Sequence, residues 1–253
     1  MEVNKELLKI AQSIVRIKEY ETIFTCSDAI YHQKKPQKAI LIATDFSFYL
    51  FQKSSKTYVI VCQIPWHNVA KITYIDNGTF SISTSSETYK VGFEQTVKLL
   101  KQIFEYLENT LLRDEKPEYT NCQSIISNIQ HIPTAFIQRF KYKIMLENEQ
   151  EYPEILVKEL TKIARRKNEL DIPSLPSADK YAKILLDCCQ IEPTIKSVVL
   201  PRGIKCNYWA DLANCLRKNT TLNSVKTNDA MTQEFEGIPK ALSKNKHSGL
   251  VQF

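Results

Sequence analysis

The sequence predicts a multidomain α+β chain: a small seven-stranded antiparallel barrel closed by one helix, a helical linker, then the first turns of an α/β solenoid. Three observations carry this. Between residues 20 and 92 there are seven short runs of β-branched and aromatic residues, parted by clusters of Lys, Asp, Asn, Gly or Ser. One long amphipathic stretch follows directly, over 94–112. From about residue 172 onward, apolar positions recur at an offset of 27 residues and then of 26.

In chain order, Leu7, Ile10, Ala11, Ile14 and Ile17 recur at helical spacing, which predicts an amphipathic helix over 7–17 within an N-terminal segment 1–19. Its charges are mixed, favouring packing on the next domain over a membrane surface. The strands are expected at 23–31, 39–44, 47–52, 58–64, 69–75, 79–84 and 88–92, with Phe80, Ile82 and Thr84 alternating cleanly. Asp76-Asn77-Gly78 supplies a turn, since Asn and Gly tolerate positive φ. The helix over 94–112 sets Val97, Leu100, Phe104, Leu107 and Leu111 on one face, with Glu94 in its first turn to suit the helix dipole. Seven strands followed at once by a helix able to plug an open barrel end resembles a pleckstrin-homology (PH) domain, covering 20–112.

Residues 113–168 read as a helical linker that caps the repeats, with helices over 122–129, 134–146 and 155–167. Pro133 and Pro153 mark starts, and the polar run 148–151 marks a break. The first repeat strand is expected near 170–172, with Ser177 capping a helix over 179–189.

Residues 169–253 carry the repeat. A shift of 27 places Ile195, Val198 and Leu200 on Leu222, Val225 and Thr227. The same shift places Ala182, Leu185, Cys188 and Cys189 on Trp209, Leu212, Cys215 and Leu216. A step of 26 then sets Trp209, Leu212, Leu216 and Asn219 on Phe235, Ile238, Leu242 and Asn245, and 250–253 opens a further unit. A unit this small cannot bury its apolar face alone and must stack on neighbours. The expected repeat core is Ile195, Val198, Leu200, Leu212, Leu216, Leu222, Val225, Ile238 and Leu242. The plain alternative is unrelated amphipathic helices that share a spacing. Because the chain stops inside a unit, a longer array is expected. The run Leu212-x-x-x-Leu216-Arg217-Lys218-Asn219-Thr220-Thr221-Leu222-x-x-Val225 resembles ribonuclease-inhibitor-type leucine-rich repeats, from which it departs after Val225.

Composition narrows the function. A net charge of +6 is spread over the chain, so no block demands nucleic acid. The seven cysteines form no C-x-x-C, which argues against a zinc or thioredoxin-like site and for buried reduced thiols in the cytoplasm. Lys5, Lys9 and Arg16 break up any signal-peptide run, and no apolar stretch is long enough to span a bilayer. The five glycines are scattered, so no phosphate-binding or dinucleotide loop is present. His32, His67, His131 and His247 lack metal-ligand spacing. A Cys–His pair of Cys188 or Cys215 with His131 is conceivable, but both cysteines hold equivalent repeat positions suited to filling a core. No enzyme and no cofactor are expected. Arg139, Lys141, Tyr142 and Lys143 read as a helix's wet face, and Lys162, Arg165, Arg166 and Lys167 as cations at a helix C-terminus.

The order of helix 7–17, strands within 39–75, helix 94–112 and repeats is similar to that of the CARMIL family of actin regulators. That resemblance implies a non-enzymatic scaffold in cortical actin regulation, at the inner face of the plasma membrane. Its PH-like domain would contact anionic phospholipid, and its repeats would bind protein partners or form a homodimer. The family's capping-protein-binding segments have no counterpart here. The lipid contact falls on Lys34, Lys35 and Lys38 before the second strand, and on Lys53 and Lys56 between the third and fourth. Phosphoinositide-specific PH domains offer K-x(n)-[KR]-x-R there, whereas Lys38 is followed by Ala39, Ile40 and Leu41, without arginine. The alternative is a membrane-independent adaptor or inhibitor whose two parts both contact proteins and whose lysine loop is simply solvated.

Overall fold

The computed structural model describes residues 3–15, 17, 21–76, 78–127, 129, 130, 132, 134–147, 153–166, 168–200, 207–227, 237–246 and 248. It is a mixed α+β structure with one large sheet and one small one, and eight α-helices among the described residues. It divides into two compact units, Met1–Gln130 and His131–Phe253, so the segment read as a linker contributes to both. The expectations for Arg16, Asn77, His131, Pro133, 148–151, Lys167, Cys206, Phe235, His247 and 250–253 lie outside the described residues.

In the first unit, α1 (Lys5–Gln12) is shorter than the 7–17 expected. Asn4 caps it, its side chain accepting from the N–H groups of Glu6 and Leu7 at 3.1 and 3.2 Å. Seven strands follow: β1 (Ile23–His32), β2 (Pro36–Thr44), β3 (Ser47–Ser54), β4 (Thr57–Pro65), β5 (Lys71–Asp76), β6 (Thr79–Ser83) and β7 (Thr88–Gly92). Then come α2 (Thr96–Thr110), an eighth strand β8 (Glu118–Thr120) and a single helical turn α3 (Gln123–Ile126). The sheet order is β4-β3-β2-β1-β7-β6-β5-β8.

That order corrects the closed seven-stranded barrel expected from sequence. There are eight strands, and the ladder ends on β4 at one edge and β8 at the other. The added strand runs parallel to β5, held by the Glu118 N–H donating to the Ala70 carbonyl at 2.9 Å and by a Lys71–Glu118 ion pair at 3.0 Å.

The unbroken apolar runs of β2 and β3 reflect burial on both faces. On one face Phe48 meets Phe80 edge-on at 6.3 Å and Trp66 at 6.4 Å, while the Trp66 indole N–H donates to the Thr44 carbonyl at 2.9 Å. On the other face Cys26, Ile40, Ile42, Tyr49 and Phe51 pack with Ala11, Leu7 and Leu8 of α1. Helix α2 buries Leu99, Leu100, Ile103, Phe104 and Leu107, and Val97 stays 43% exposed. Leu100, Phe104, Leu107 and Leu111 thus lie on the buried face as expected, Leu99 and Ile103 widen it, and Val97 alone falls outside it. The helix also starts two residues later, where the Thr96 hydroxyl donates to the Phe93 carbonyl at 2.6 Å.

The second unit holds α4 (Ala135–Leu146), α5 (Glu154–Arg166), β9 (Glu169–Asp171), α6 (Ala178–Cys189), β10 (Ser197–Val199), α7 (Asn207–Lys218), β11 (Ser224–Lys226) and α8 (Gly237–Lys244). Its three strands form a parallel sheet ordered β11-β10-β9. Val198 pairs with Val225 on one side and with Leu170 on the other. The β10–β11 register therefore equals the 27-residue offset of the sequence. Ile195, Val198, Leu200, Leu212, Leu216, Leu222, Val225 and Ile238 share one buried cluster, against which the half-buried Leu242 packs. Ser177 stands before α6 with φ of 56° and makes no capping hydrogen bond, contrary to its expected role.

Buried polar side chains tie successive helices together. Asn219 donates to the Cys189 carbonyl at 2.5 Å, and Asn245 donates to the Leu216 carbonyl at 2.7 Å. The same Asn219 accepts from the N–H groups of Thr221 and Leu222 at 2.8 and 2.6 Å. Glu192 occupies the equivalent place one unit earlier, accepting from the Thr194 N–H at 3.1 Å. Its other oxygen meets Arg139 of α4 at 3.3 Å, and the same guanidinium nitrogen donates to the Cys188 carbonyl at 2.6 Å. Arg139 and Tyr142 are buried, so the wet face expected there is corrected. An arginine can leave water when a carboxylate and a carbonyl are waiting for it.

Candidate anion-contact surface

The five singled-out lysines lie on two hairpins. Lys34 and Lys35 sit in the turn joining β1 to β2, and Lys38 lies on β2. Lys53 lies on β3, and Lys56 is in the turn into β4, where Ser55 takes the left-handed φ of 52° that so short a turn demands. All five are exposed.

The register decides whether they meet. Strands β2 and β3 run antiparallel with Ala39 opposite Gln52, so the start of one and the end of the other lie at the same end of the sheet. The Gln52 amide donates to the Gln37 side-chain oxygen across the two strands. Lys38 and Lys53 each lie one residue beyond the Ala39–Gln52 pair, at that same end. Like charges gathered at one end of a sheet repel, so this clustering does not serve stability. Among the described residues none of the five enters an ion pair. The β6–β7 turn lies at the same end, and its Glu87 accepts from the Tyr89 hydroxyl.

A neighbouring open groove of about 670 Å³ is lined by Asp28, Ile30, His32, Lys38, Gly92 and Glu94 among others. Two carboxylates on its wall make it a poor anion site. Gly92 is where β7 closes on β1, for a Cβ there would stand 2.8 Å from His32 Nε2.

The remaining chemistry is quiet. The six described cysteines are buried and free, and burial pushes the Cys188 and Cys215 thiols up to about 12, away from the thiolate a nucleophile needs. No group of three or more His, Cys, Asp or Glu among the described residues is placed to hold a metal ion. No described helix is long and apolar enough to cross a membrane. Sequence reasoning missed two features: the Arg139–Glu192 pair, and the exposure of Val59 and Ile60 on β4.

No protein-family model matches the chain, and no curated protein matches it. Solved structures with partial likeness include human RhoA in complex with the DH/PH fragment of PDZRHOGEF, at 13% identity and a TM-score of 0.31 over 36% of this chain and 30% of that one. The N-terminally truncated linker-DH/PH domains of p115-RhoGEF match at 9% and 0.32, covering 43% of this chain and 41% of theirs. The hSac2 domain from human phosphoinositide phosphatase Sac2 matches at 7% and 0.31, covering 46% and 84%. The chain thus spans under a third of the first of these structures, and TM-scores this low carry no function across.

Proposed function

We propose that this chain is a non-enzymatic scaffold. Its PH-like unit rests weakly on anionic membrane through Lys34, Lys35, Lys38, Lys53 and Lys56. Its strand–helix repeats, of leucine-rich type, serve as a platform for protein partners. The observation that carries the reading is the antiparallel register that brings five exposed lysines to one end of the sheet. Each lysine near an anionic leaflet contributes about 1 kcal/mol, so the cluster gives reversible, salt-sensitive attachment. Without an arginine fork it reads charge density rather than one headgroup. The order of the elements supports a role in cortical actin regulation.

Co-sedimentation with phosphatidylserine vesicles across a salt series tests the membrane part. Binding should fall steeply with salt, vanish on neutral vesicles, and drop on changing all five lysines to serine. Binding that survives either neutral lipid or the serine variant overturns the lysine mechanism and leaves the adaptor reading.

A further inference from the structure

The face of the large sheet that α1 packs on runs further than the helix covers. Its covered part is the cluster of Cys26, Ile40, Ile42, Tyr49 and Phe51, in which Ile40 and Phe51 are paired across β2 and β3. Side chains two apart along a strand share a face, as do those of residues paired across strands. Lys38, two residues from Ile40, therefore stands on this face, and so does Ile30, with which it is paired. Lys53, two residues from Phe51, stands there too, with Tyr58 paired to it and Ile60 paired to Phe51. A strip thus crosses β1, β2, β3 and β4 in which aliphatic, basic, basic and aromatic side chains succeed one another. Ile30 and Ile60 are 46% and 41% exposed, and Tyr58 is half-buried against the cluster. The exposed Asp28 bounds the strip toward α1, where the Asn4 N–H donates to the Cys26 carbonyl at 3.0 Å.

We propose that this strip is the surface that meets the anionic leaflet, with Ile30 and Ile60 entering the boundary between headgroups and acyl chains. Charge and apolarity together select the occupant. The lysines need an anion, and the aliphatic side chains beside them need hydrocarbon. A leaflet offers both in layers, so lysine stems lie along the apolar layer while their ammonium groups reach the headgroups. A tyrosine suits that boundary as well, one end apolar and the other wet. An acidic protein surface would match the lysines but set Ile30 and Ile60 against charge. Lys38 and Lys53 belong both to the strip and to the lysine end, which fixes the corner of the sheet that faces the lipid. The inference rests on the membrane reading and adds to it an orientation and an apolar contribution that salt does not screen.

Co-sedimentation of the full chain with phosphatidylserine vesicles over a salt series separates the two contributions. Ile30→Ser with Ile60→Ser should weaken binding by about 10-fold at every salt concentration and leave the salt slope unchanged. Changing the five lysines to serine should instead flatten the slope. Should the double variant fail to fold, Ile60→Trp decides: phosphatidylserine with brominated acyl chains should quench its fluorescence beyond that of the wild-type chain. A double variant that binds as the wild type does, or an Ile60→Trp chain quenched no more than the wild type, overturns the proposal and leaves the lysine mechanism standing. A wild-type chain that ignores phosphatidylserine vesicles overturns both, so the two failures are told apart.

Discussion

Replacing Arg139 by methionine keeps the aliphatic volume and removes the charge from a pair whose two side chains are each 1% exposed. Glu192 would then hold a carboxylate in the interior without the Arg139 charge beside it, and the Cys188 carbonyl would lose a donor at 2.6 Å. Breaking a buried pair by removing one partner costs about 3–5 kcal/mol. Here Glu192 keeps the Thr194 N–H at 3.1 Å and the Thr194 hydroxyl at 2.5 Å, which favours the lower end, about 3 kcal/mol. For a unit of this size that lowers the melting temperature by about 10 °C. Adding Glu192→Gln removes the buried charge and keeps an acceptor for Thr194, so the double variant should recover about 2 kcal/mol of the loss. Urea-dependent hydrogen exchange of α6 and α7 amides reads the stability of this unit in the full chain. An Arg139→Met variant within about 0.5 kcal/mol of wild type, or losses that simply add, would show that the pair is not what joins α4 to the repeats.

Asn219→Ala strands the N–H groups of Thr221 and Leu222 and takes one of two donors from the Cys189 carbonyl, which keeps the Glu192 N–H at 3.2 Å, so urea unfolding should show a loss of about 3 kcal/mol. The Cys188 and Cys215 thiols, raised by burial from 9.0 to about 12, favour the folded state while they are protonated. That contribution is complete below the unfolded value and is lost as pH rises through the folded one, so melting temperature should fall between pH 9.0 and about 12. Both thiols should resist alkylation in the folded chain at neutral pH, as peptide mapping would report. Gly92→Ala brings a methyl group to 2.8 Å from His32 Nε2 and 3.4 Å from Ile30 Cβ. Because the imidazole is the movable end of its side chain, thermal unfolding should register a loss of only about 1 kcal/mol, and Gly92→Val more.

The sequence made the seven β-rich runs and the repeat spacing legible because each rests on local periodicity. Val198 and Val225 could be matched by counting, since stacked units of equal length put equivalent residues side by side. Strand β8 left no such trace: Glu118, Tyr119 and Thr120 are too few to show alternation, and their partner β5 lies 47 residues earlier. The inward face of α2 was legible at Leu100, Phe104, Leu107 and Leu111 and missed only at Val97, because periodicity fixes the margin of a stripe only to within a residue or so, and Leu99 and Ile103 fit it as well as Val97 does. The burial of Arg139 was invisible for a different reason, as its partners Cys188 and Glu192 come from another element far along the chain. The five lysines could be named from their loops, but only the β2–β3 register shows that the two loops share one end of the sheet.

The packing of α1 on Cys26, Ile40, Ile42, Tyr49 and Phe51 changes where this protein can be cut. Trimming to residue 20 looks natural on the sequence, yet it would strip the roof from a two-sided sandwich and leave that row of side chains in water. Such a fragment should clump or need detergent, whereas one that begins at Met1 and runs to Gln130 keeps its own lid.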